Sequence, residues 1–211
     1  MKLYDYFRSS ASYRVRIALN LKGVAYERRE VHLVQDGGQH LTAAYRAVNP
    51  QARVPSLEVE DGAILTQSPA ILEWIEETWA LPPLLPRDPI ARAHVRAVAS
   101  IVCCDIHPLN NLSTLGRLRS QFGADDEAVN DWYAHWVTEG FKAIEALIEG
   151  GAYCFGTSPT LADVVLMPQI YNGRRFKVPL DAFPKILGVE AHCAALPAFA
   201  KAHPDTVSQG A

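Results

Sequence analysis

The stretch Leu81-Pro82-Pro83-Leu84-Leu85-Pro86-Arg87-Asp88-Pro89 places four prolines in nine residues. Proline fixes φ, lacks an N–H and clashes with the preceding helical turn, so such a run continues neither a helix nor a sheet and acts as a semi-rigid linker. Before it, strand and helix signals alternate. Leu3-Tyr4-Asp5-Tyr6-Phe7 reads as a strand. Ser12 to Lys22 reads as a helix with Val15, Ala18, Leu19 and the Lys22 stem on one side and Gly23 to end it. Tyr26 to Leu33 reads as a second strand. Val54-Pro55-Ser56-Leu57-Glu58-Val59, Asp61-Gly62 and Ala63-Ile64-Leu65 read as a hairpin with a tight turn. Ser68-Pro69 then starts a helix, with Ser as cap and Pro in the first turn, and Ile71, Leu72 and Ile75 form its buried stripe. Beyond Ile90 the strand signal fades and helical periodicity takes over: Val95, Val98, Ala99, Val102, then Trp132, Trp136, Phe141, Ile144, Leu147, Ile148. The pattern predicts an α/β domain over residues 1–80, a linker over 81–89 and an all-α domain over 90–211.

The chain has 211 residues, 49% of them hydrophobic, enough for a well-buried core. A net charge of −3 with no Lys/Arg block argues against a nucleic-acid or anionic-membrane surface. Cys103, Cys104, Cys154 and Cys193 form no C-x-x-C pair and sit at no zinc spacing, which fits free thiols in a reducing cytosol. The seven histidines show no clustered ligand spacing, so no metal is expected. Lys2, Asp5 and Arg8 interrupt any leader, and no apolar run approaches the roughly 20 residues of a membrane helix. The expectation is a soluble cytoplasmic protein.

The chemistry is concentrated in Phe7-Arg8-Ser9-Ser10-Ala11-Ser12-Tyr13-Arg14-Val15-Arg16-Ile17-Ala18-Leu19. Here a short apolar run ends in a basic residue and hydroxyls at the start of a helix. Unpaired backbone N–H groups and hydroxyls at a positive helix end hold anions, a thiolate among them. From the residues alone, Ser9 and Ser10 are equally helix caps or donors to such an anion. Gln67 and Ser68 stand at a second helix start, where Ser68 is a cap, an anion ligand or both. Thr160-Leu161-Ala162-Asp163 matches a capping box with Asp in place of Glu, and we read it as local helix initiation rather than catalysis.

The order of elements, Val54-Pro55 before the hairpin, Gln67-Ser68 and the proline linker together resemble the glutathione transferases. The run from Ser9 to Leu19 resembles the zeta-class signature S-S-C-x-W/H-R-V-R-I-A-L. Further matches are Asp36-Gly37-Gly38-Gln39, Asn49-Pro50, Pro108-Leu109-Asn110-Asn111-Leu112 and Arg175-Phe176-Lys177-Val178, so the resemblance spans nearly the whole chain. One departure matters: the motif has Cys where this chain has Ala11.

The resemblance implies a thioredoxin-like N-terminal domain that binds glutathione, an all-α C-terminal domain, and a homodimer. It implies a glutathione-dependent cis-trans isomerase of maleylpyruvate or maleylacetoacetate, working by thiolate addition to the cis double bond, rotation and elimination. A general glutathione transferase or peroxidase, or a non-enzymatic binding protein, are the alternatives on this scaffold. Ser9 and Ser10 become the thiolate donors, Ser9 first. A thiol of pKa near 8.5 is only about 3% ionised at neutral pH, and lowering that value by about two units takes roughly 2.7 kcal/mol, within reach of a hydroxyl and a helix end. Val54, before a cis proline, pairs through its backbone with the cysteinyl part of glutathione. Gln67 and Ser68 take its γ-glutamyl carboxylate. His40, with Gln39, is placed near the glycyl end, and His107, Asn111 and Ser113 match zeta positions near glutathione; for His107 an ordinary helical histidine is an equal reading. Asp105 is a candidate to reach glutathione on a partner subunit. The substrate is a small dicarboxylate, for which Arg8, Arg174 and Arg175 are the candidate ligands because the guanidinium fork matches carboxylate. Arg14 and Arg16, inside the helix, read as structural or solvent-facing.

Overall fold

A computed structural model of the chain describes residues 1–208. It forms two compact units, Met1–Pro83 together with the C-terminal stretch from Ala195 onward, and Leu84–Ala194.

The first unit opens with β1 (Lys2–Asp5), α1 (Ser10–Leu21), β2 (Glu27–Glu30), α2 (Ala43–Val48), β3 (Ser56–Glu58), β4 (Ile64–Thr66) and α3 (Ser68–Thr78). The strands make one sheet in the order β2-β1-β3-β4, with β1 parallel to β2 and antiparallel to β3, and β3 antiparallel to β4. The register Leu3↔Leu57↔Leu65 follows from the period-2 alternation of the strands, which sends Leu3 and Leu57 fully into the core. The expected order lacked α2, whose six residues are too few to show a helical stripe; Thr42 caps it and Tyr45 anchors it in a cluster with Tyr6, Val31 and Val54. The expected one-sided amphipathicity of α1 is corrected as well. Every residue from 12 to 19 is buried, because α1 packs against α3 and against a C-terminal helix. Lys22 is its C-cap, with the ammonium buried on the Glu76 carboxylate (2.6 Å) and the carbonyls of Trp79 and Pro82.

The second unit holds α4 (Pro89–Ser100), a π-helical turn Ile101–Ile106, α5 (Leu112–Phe122), α6 (Asp126–Leu147), α7 (Leu161–Arg175) and α8 (Pro184–Ala194). Its core includes Val95, Val98, Val102, Phe141, Ile144 and Ile148, all periodic positions of the sequence, but on α6 the buried stripe runs through Val129, Tyr133 and Val137 rather than Trp132 and Trp136, and Leu147 is exposed. A Cβ on Gly140 would lie 2.3 Å from Ile106 Cδ1, so α6 meets the π-helical turn at glycine distance. Asp163, fully buried, accepts the amides of Cys154 and Thr160 (both 2.7 Å) and the Thr160 hydroxyl (2.8 Å), which agrees with a helix-initiating role. Leu84 and Leu85 are buried too, and Leu84 C=O accepts from Leu161 N (2.8 Å). The proline stretch is therefore packed structure in its second half, not a bare spacer.

The C-terminal helices α9 (Pro197–Ala202) and α10 (Pro204–Ser208) belong to the first unit, which corrects the expected assignment of 90–211 to one helical domain. The cause is a set of side chains that reach the tail backbone: Arg16 Nε to Ala202 O (3.0 Å), Asn20 Nδ2 to Ala198 O (3.0 Å) and Arg28 Nη1 to Val207 O (3.2 Å). No helix among the described residues is long and apolar enough to cross a membrane.

Candidate functional site

In the first unit the candidate residues gather at two helix starts. Ser9 is the N-cap of α1, and its Oγ accepts from Ser12 N (3.2 Å) while its carbonyl accepts from Tyr13 N (2.9 Å). Accepting from the helix uses a lone pair of Oγ and leaves the Ser9 hydroxyl proton free to be donated elsewhere. The Ala11 amide meets no acceptor among the described residues, and the fully buried Ser12 Oγ has no partner. Ser10 is buried in the first turn. A first turn without acidic side chains leaves the dipole end of α1 positive.

At α3 the structure shifts the expected cap by one residue. Ser68 is the first helical residue and Gln67 the N-cap, with φ 67° and no side-chain cap bond. A non-glycine residue in that region carries backbone strain, which collects at functional positions. Gln67 Nε2 donates to Gln51 Oε1. The buried Ser68 hydroxyl accepts from Arg14 Nη1 (3.1 Å). Arg14, only 2% exposed, thus ties the two helix starts together, and the solvent-facing reading of Arg14 and Arg16 is overturned. The available signal was their place in and beside the apolar run Val15 to Leu19, and the structure leaves no exposed side over residues 12–19.

Val54–Pro55 is cis, as the resemblance implied, and neither backbone polar group of Val54 enters a backbone hydrogen bond among the described residues. His40 lies in a short helical turn after Gly38. Burial, then the nearby Arg46 charge, lowers its pKa and keeps the imidazole neutral, and its Nδ1 is buried without a partner. Gln39 Oε1 accepts from His32 N (2.9 Å), which holds that loop closed. Arg8 is exposed, its guanidinium 4.8 Å from the Phe7 ring centre and in no ion pair among the described residues.

In the second unit, Asn111 caps α5 by accepting from Ser113 N (3.0 Å) and Ser113 Oγ (2.9 Å), and its Nδ2 lies 3.5 Å from His107 Nε2. The turn is fixed on α6 by Asn110 Nδ2 to Tyr133 O (3.3 Å) and Trp132 Nε1 to Leu109 O (2.9 Å). The two arginines after α7's buried stretch separate. Arg174 makes a two-point ion pair with the Glu190 carboxylate. Arg175 has no carboxylate partner among the described residues; it stands 5.9 Å from the Tyr171 ring and 5.8 Å from the Phe176 ring. Phe176 in turn stacks on Tyr133, centroids 3.7 Å apart and planes 7° from parallel. Sequence reasoning missed Tyr133; burial raises the pKa of its hydroxyl, and Arg175 works against that shift.

The glutathione S-transferase N-terminal domain family matches residues 8–78, the stretch that carries both helix starts. The chain is 54% identical to maleylacetoacetate isomerase of Pseudomonas aeruginosa over 97% of its own length and 96% of that protein. Among solved structures it superposes on the holo form of maleyl pyruvate isomerase, a bacterial zeta-class glutathione S-transferase, with a TM-score of 0.94 at 50% identity, covering 98% of both chains. It likewise superposes on maleylacetoacetate isomerase of Methylobacterium extorquens with bound malonate and glutathione, with a TM-score of 0.93 at 38% identity over 98% of this chain and 97% of that one.

The chain belongs to the zeta-class glutathione S-transferases. As a zeta-class chain it departs from the class signature at Ala11, which sits in the first turn of α1 beside Ser9 and Ser10. Arg14 and Arg16 stand where that signature has its two arginines.

Proposed function

We propose that this protein is a glutathione-dependent cis-trans isomerase of a small cis-enol dicarboxylate, maleylpyruvate or maleylacetoacetate. The observation that carries the reading is Ser9 Oγ, which caps α1 by accepting from Ser12 N–H and so has its own proton left to donate. The residues of the first unit fit glutathione. The unpartnered Ser12 Oγ and His40 Nδ1 offer buried polar atoms, the Val54 backbone just before β3 makes no backbone hydrogen bond among the described residues, and α3 starts without a side-chain cap, open to a carboxylate.

When bound, glutathione supplies a thiolate that adds to the cis double bond and leaves again after rotation, so the trans isomer forms and the tripeptide is regenerated. Ser9 donates to the sulfur. Ser10 and the Ala11 amide in α1's first turn add positive potential at the same point. Ser68, set by Arg14, and Gln67 hold the γ-glutamyl carboxylate. Val54 pairs through its backbone and His40 takes the glycyl end; His107, Asn111 and Ser113 are the further glutathione ligands that the class resemblance implies. Arg8 and Arg175 each bind a substrate carboxylate and stabilise negative charge as it develops on the substrate oxygens. Arg174 is set aside from that task, because Glu190 already occupies its fork. The malonate and glutathione bound in the Methylobacterium relative, a short dicarboxylate and the tripeptide, support the same substrate class. The reading includes a homodimer, with Asp105 a candidate contact to glutathione on the partner, and a cytosolic location. None of the four cysteines, all among the described residues, is in a disulfide, which fits a reducing compartment.

The test is turnover of both compounds with and without glutathione, run beside conjugation of an aryl halide. Isomerisation that needs glutathione without consuming it is the expected result. Turnover undiminished without glutathione, or conjugation as the only activity, refutes the reading.

A further inference from the structure

The turn that delivers Ser9 is held from beneath by a buried cation. Ser9 N donates to Tyr6 O (2.8 Å), closing a turn with Phe7 and Arg8 at its centre. Arg16 is fully buried, and its guanidinium serves three acceptors: the Phe7 carbonyl through Nη2 (3.0 Å), the Asp5 carboxylate through Nη1 (2.7 Å) and the Ala202 carbonyl through Nε (3.0 Å). The second oxygen of Asp5 accepts from Arg28 Nε (2.8 Å), and Arg28 Nη1 reaches the Val207 carbonyl (3.2 Å). Two guanidiniums thus share one buried carboxylate, and both extend to the backbone of α9 and α10. Asn20 adds a bond to Ala198 O, and the Tyr13 ring meets His203 edge-on at 6.0 Å. All of these groups belong to one compact unit.

Buried ion pairs are costly, and well-packed apolar side chains often replace them without loss of stability. What an apolar side chain cannot do is hold the Phe7 carbonyl. The peptide plane that carries this oxygen also carries the Arg8 N–H, so the bond from Arg16 sets the orientation of the turn and the place of Ser9 Oγ. Reaching a carbonyl, a carboxylate and a second carbonyl in three directions suits a planar fork and not a single ammonium. A shift of about 1 Å in a catalytic donor can cost about 100-fold in rate.

We propose that Arg16 is a positioning residue for the Ser9 turn, and that the C-terminal segment 197–208 acts through it as a clamp on the thiolate-holding end of α1. This inference rests on the reading of Ser9 as the thiolate donor.

The experiment compares wild type, Arg16→Lys and Arg28→Gln. Each is checked for folding by circular dichroism, titrated with glutathione by the ultraviolet thiolate band across pH, and assayed for kcat and KM across pH. Arg16→Lys should bind glutathione with KM changed about twofold or less, since the γ-glutamyl site is untouched. Its thiolate at neutral pH, and kcat with it, should fall about tenfold, and the gap should close at high pH where the thiol ionises unaided. Arg28→Gln, which leaves the Phe7 bond and loosens the C-terminal end, should fall between the two. A loss of the same size at every pH marks a merely structural role and overturns the proposal, as does a folded Arg16→Lys that titrates like wild type. If Arg16→Lys does not fold, Arg28→Gln decides, and its unchanged titration overturns the clamp. A wild type that holds no thiolate brings down the reading of Ser9 and the clamp together, whereas unaltered variants of a thiolate-holding wild type bring down the clamp alone.

Discussion

Ser9 has two separable duties, and replacing it by alanine and by glycine tells them apart. Its Oγ caps α1 on Ser12 N at 3.2 Å, and its proton is the proposed donor to sulfur. Loss of a Ser cap to Ala costs about 1 kcal/mol, but to Gly only a few tenths. In a chain of this length about 1 kcal/mol corresponds to roughly 2–4 °C in Tm, so Ser9→Ala should melt lower than wild type and Ser9→Gly close to it. The donor duty behaves otherwise, because neither variant has a hydroxyl. A hydrogen bond to a charged group contributes about 1.5–3 kcal/mol, and one pKa unit corresponds to about 1.4 kcal/mol. Raising the bound thiol by about one to two units from about 6.5 takes it from mostly thiolate to between about a quarter and about 3% at neutral pH, so both variants should hold about three- to 25-fold less thiolate and lose kcat in proportion. The ultraviolet titration of bound glutathione and the isomerisation rate measure this directly. If Ser9→Gly keeps the thiolate band and full turnover, Ser9 is a cap and nothing more, and Ser10 or the α1 amides carry the sulfur.

Removing Arg175 should cost about ten- to hundredfold in kcat/KM for the dicarboxylate, the worth of a charge-assisted fork, with glutathione binding intact. Arg174→Ala, whose partner is Glu190, should change it less than about twofold, and equal losses in the two would refute the assignment. Gly38→Ala forces a side chain onto φ 97° and puts a Cβ 2.7 Å from His40 Cε1. It should raise KM for glutathione several-fold while kcat stays within about twofold, and an unchanged KM removes His40 from the site. Asp163→Ala leaves three donors, the Cys154 amide buried and the Thr160 amide and hydroxyl half-buried, without their carboxylate and should destabilise by about 3–5 kcal/mol in urea unfolding. Activity per folded molecule should be retained; a fully folded but inactive variant contradicts a folding role.

What was legible in the sequence was whatever one local pattern decides. Leu3, Leu57 and the hairpin follow from period 2, the stripe of α3 and the Phe141 and Ile144 positions of α6 from period 3.6, and Thr160 and Asp163 from a cap four residues long. What was hidden depends on partners far along the chain. Arg16 meets Ala202 across 186 residues, and no helical pattern announces that α1 will be covered on more than one side. Once α9 lies against α1, an arginine among Val15, Ile17 and Leu19 has no water to reach and must find carbonyls and Asp5 instead. Lys22 was legible as an apolar stem but not as an ammonium shared by Glu76 and two carbonyls. α2 fell below the length at which periodicity speaks, and the π-helical turn before His107 differs from an α-helix by one residue of register that composition does not encode. Arg174 and Arg175 look alike in the sequence; only the position of Glu190 on α8 tells them apart.

The distribution of thiols bears on where the reactive sulfur comes from. All four cysteines lie between residues 103 and 193, inside the helical unit Leu84–Ala194, so the unit with the two helix starts has none of its own among the described residues. Cys154 and Cys193 are fully buried, and burial, reinforced by the Asp163 carboxylate, raises both thiol pKa values, so they stay protonated and inert. The position where the class signature carries a cysteine is Ala11. A positive helix end with a serine proton to donate and no thiol beside it has no anion of the chain's own to stabilise. The sulfur it is built to ionise therefore arrives on a ligand, and a protein fully alkylated at its exposed cysteines should isomerise at the untreated rate once glutathione is supplied. Inactivation by alkylation that bound glutathione does not prevent would place the nucleophile on the chain and undo this account.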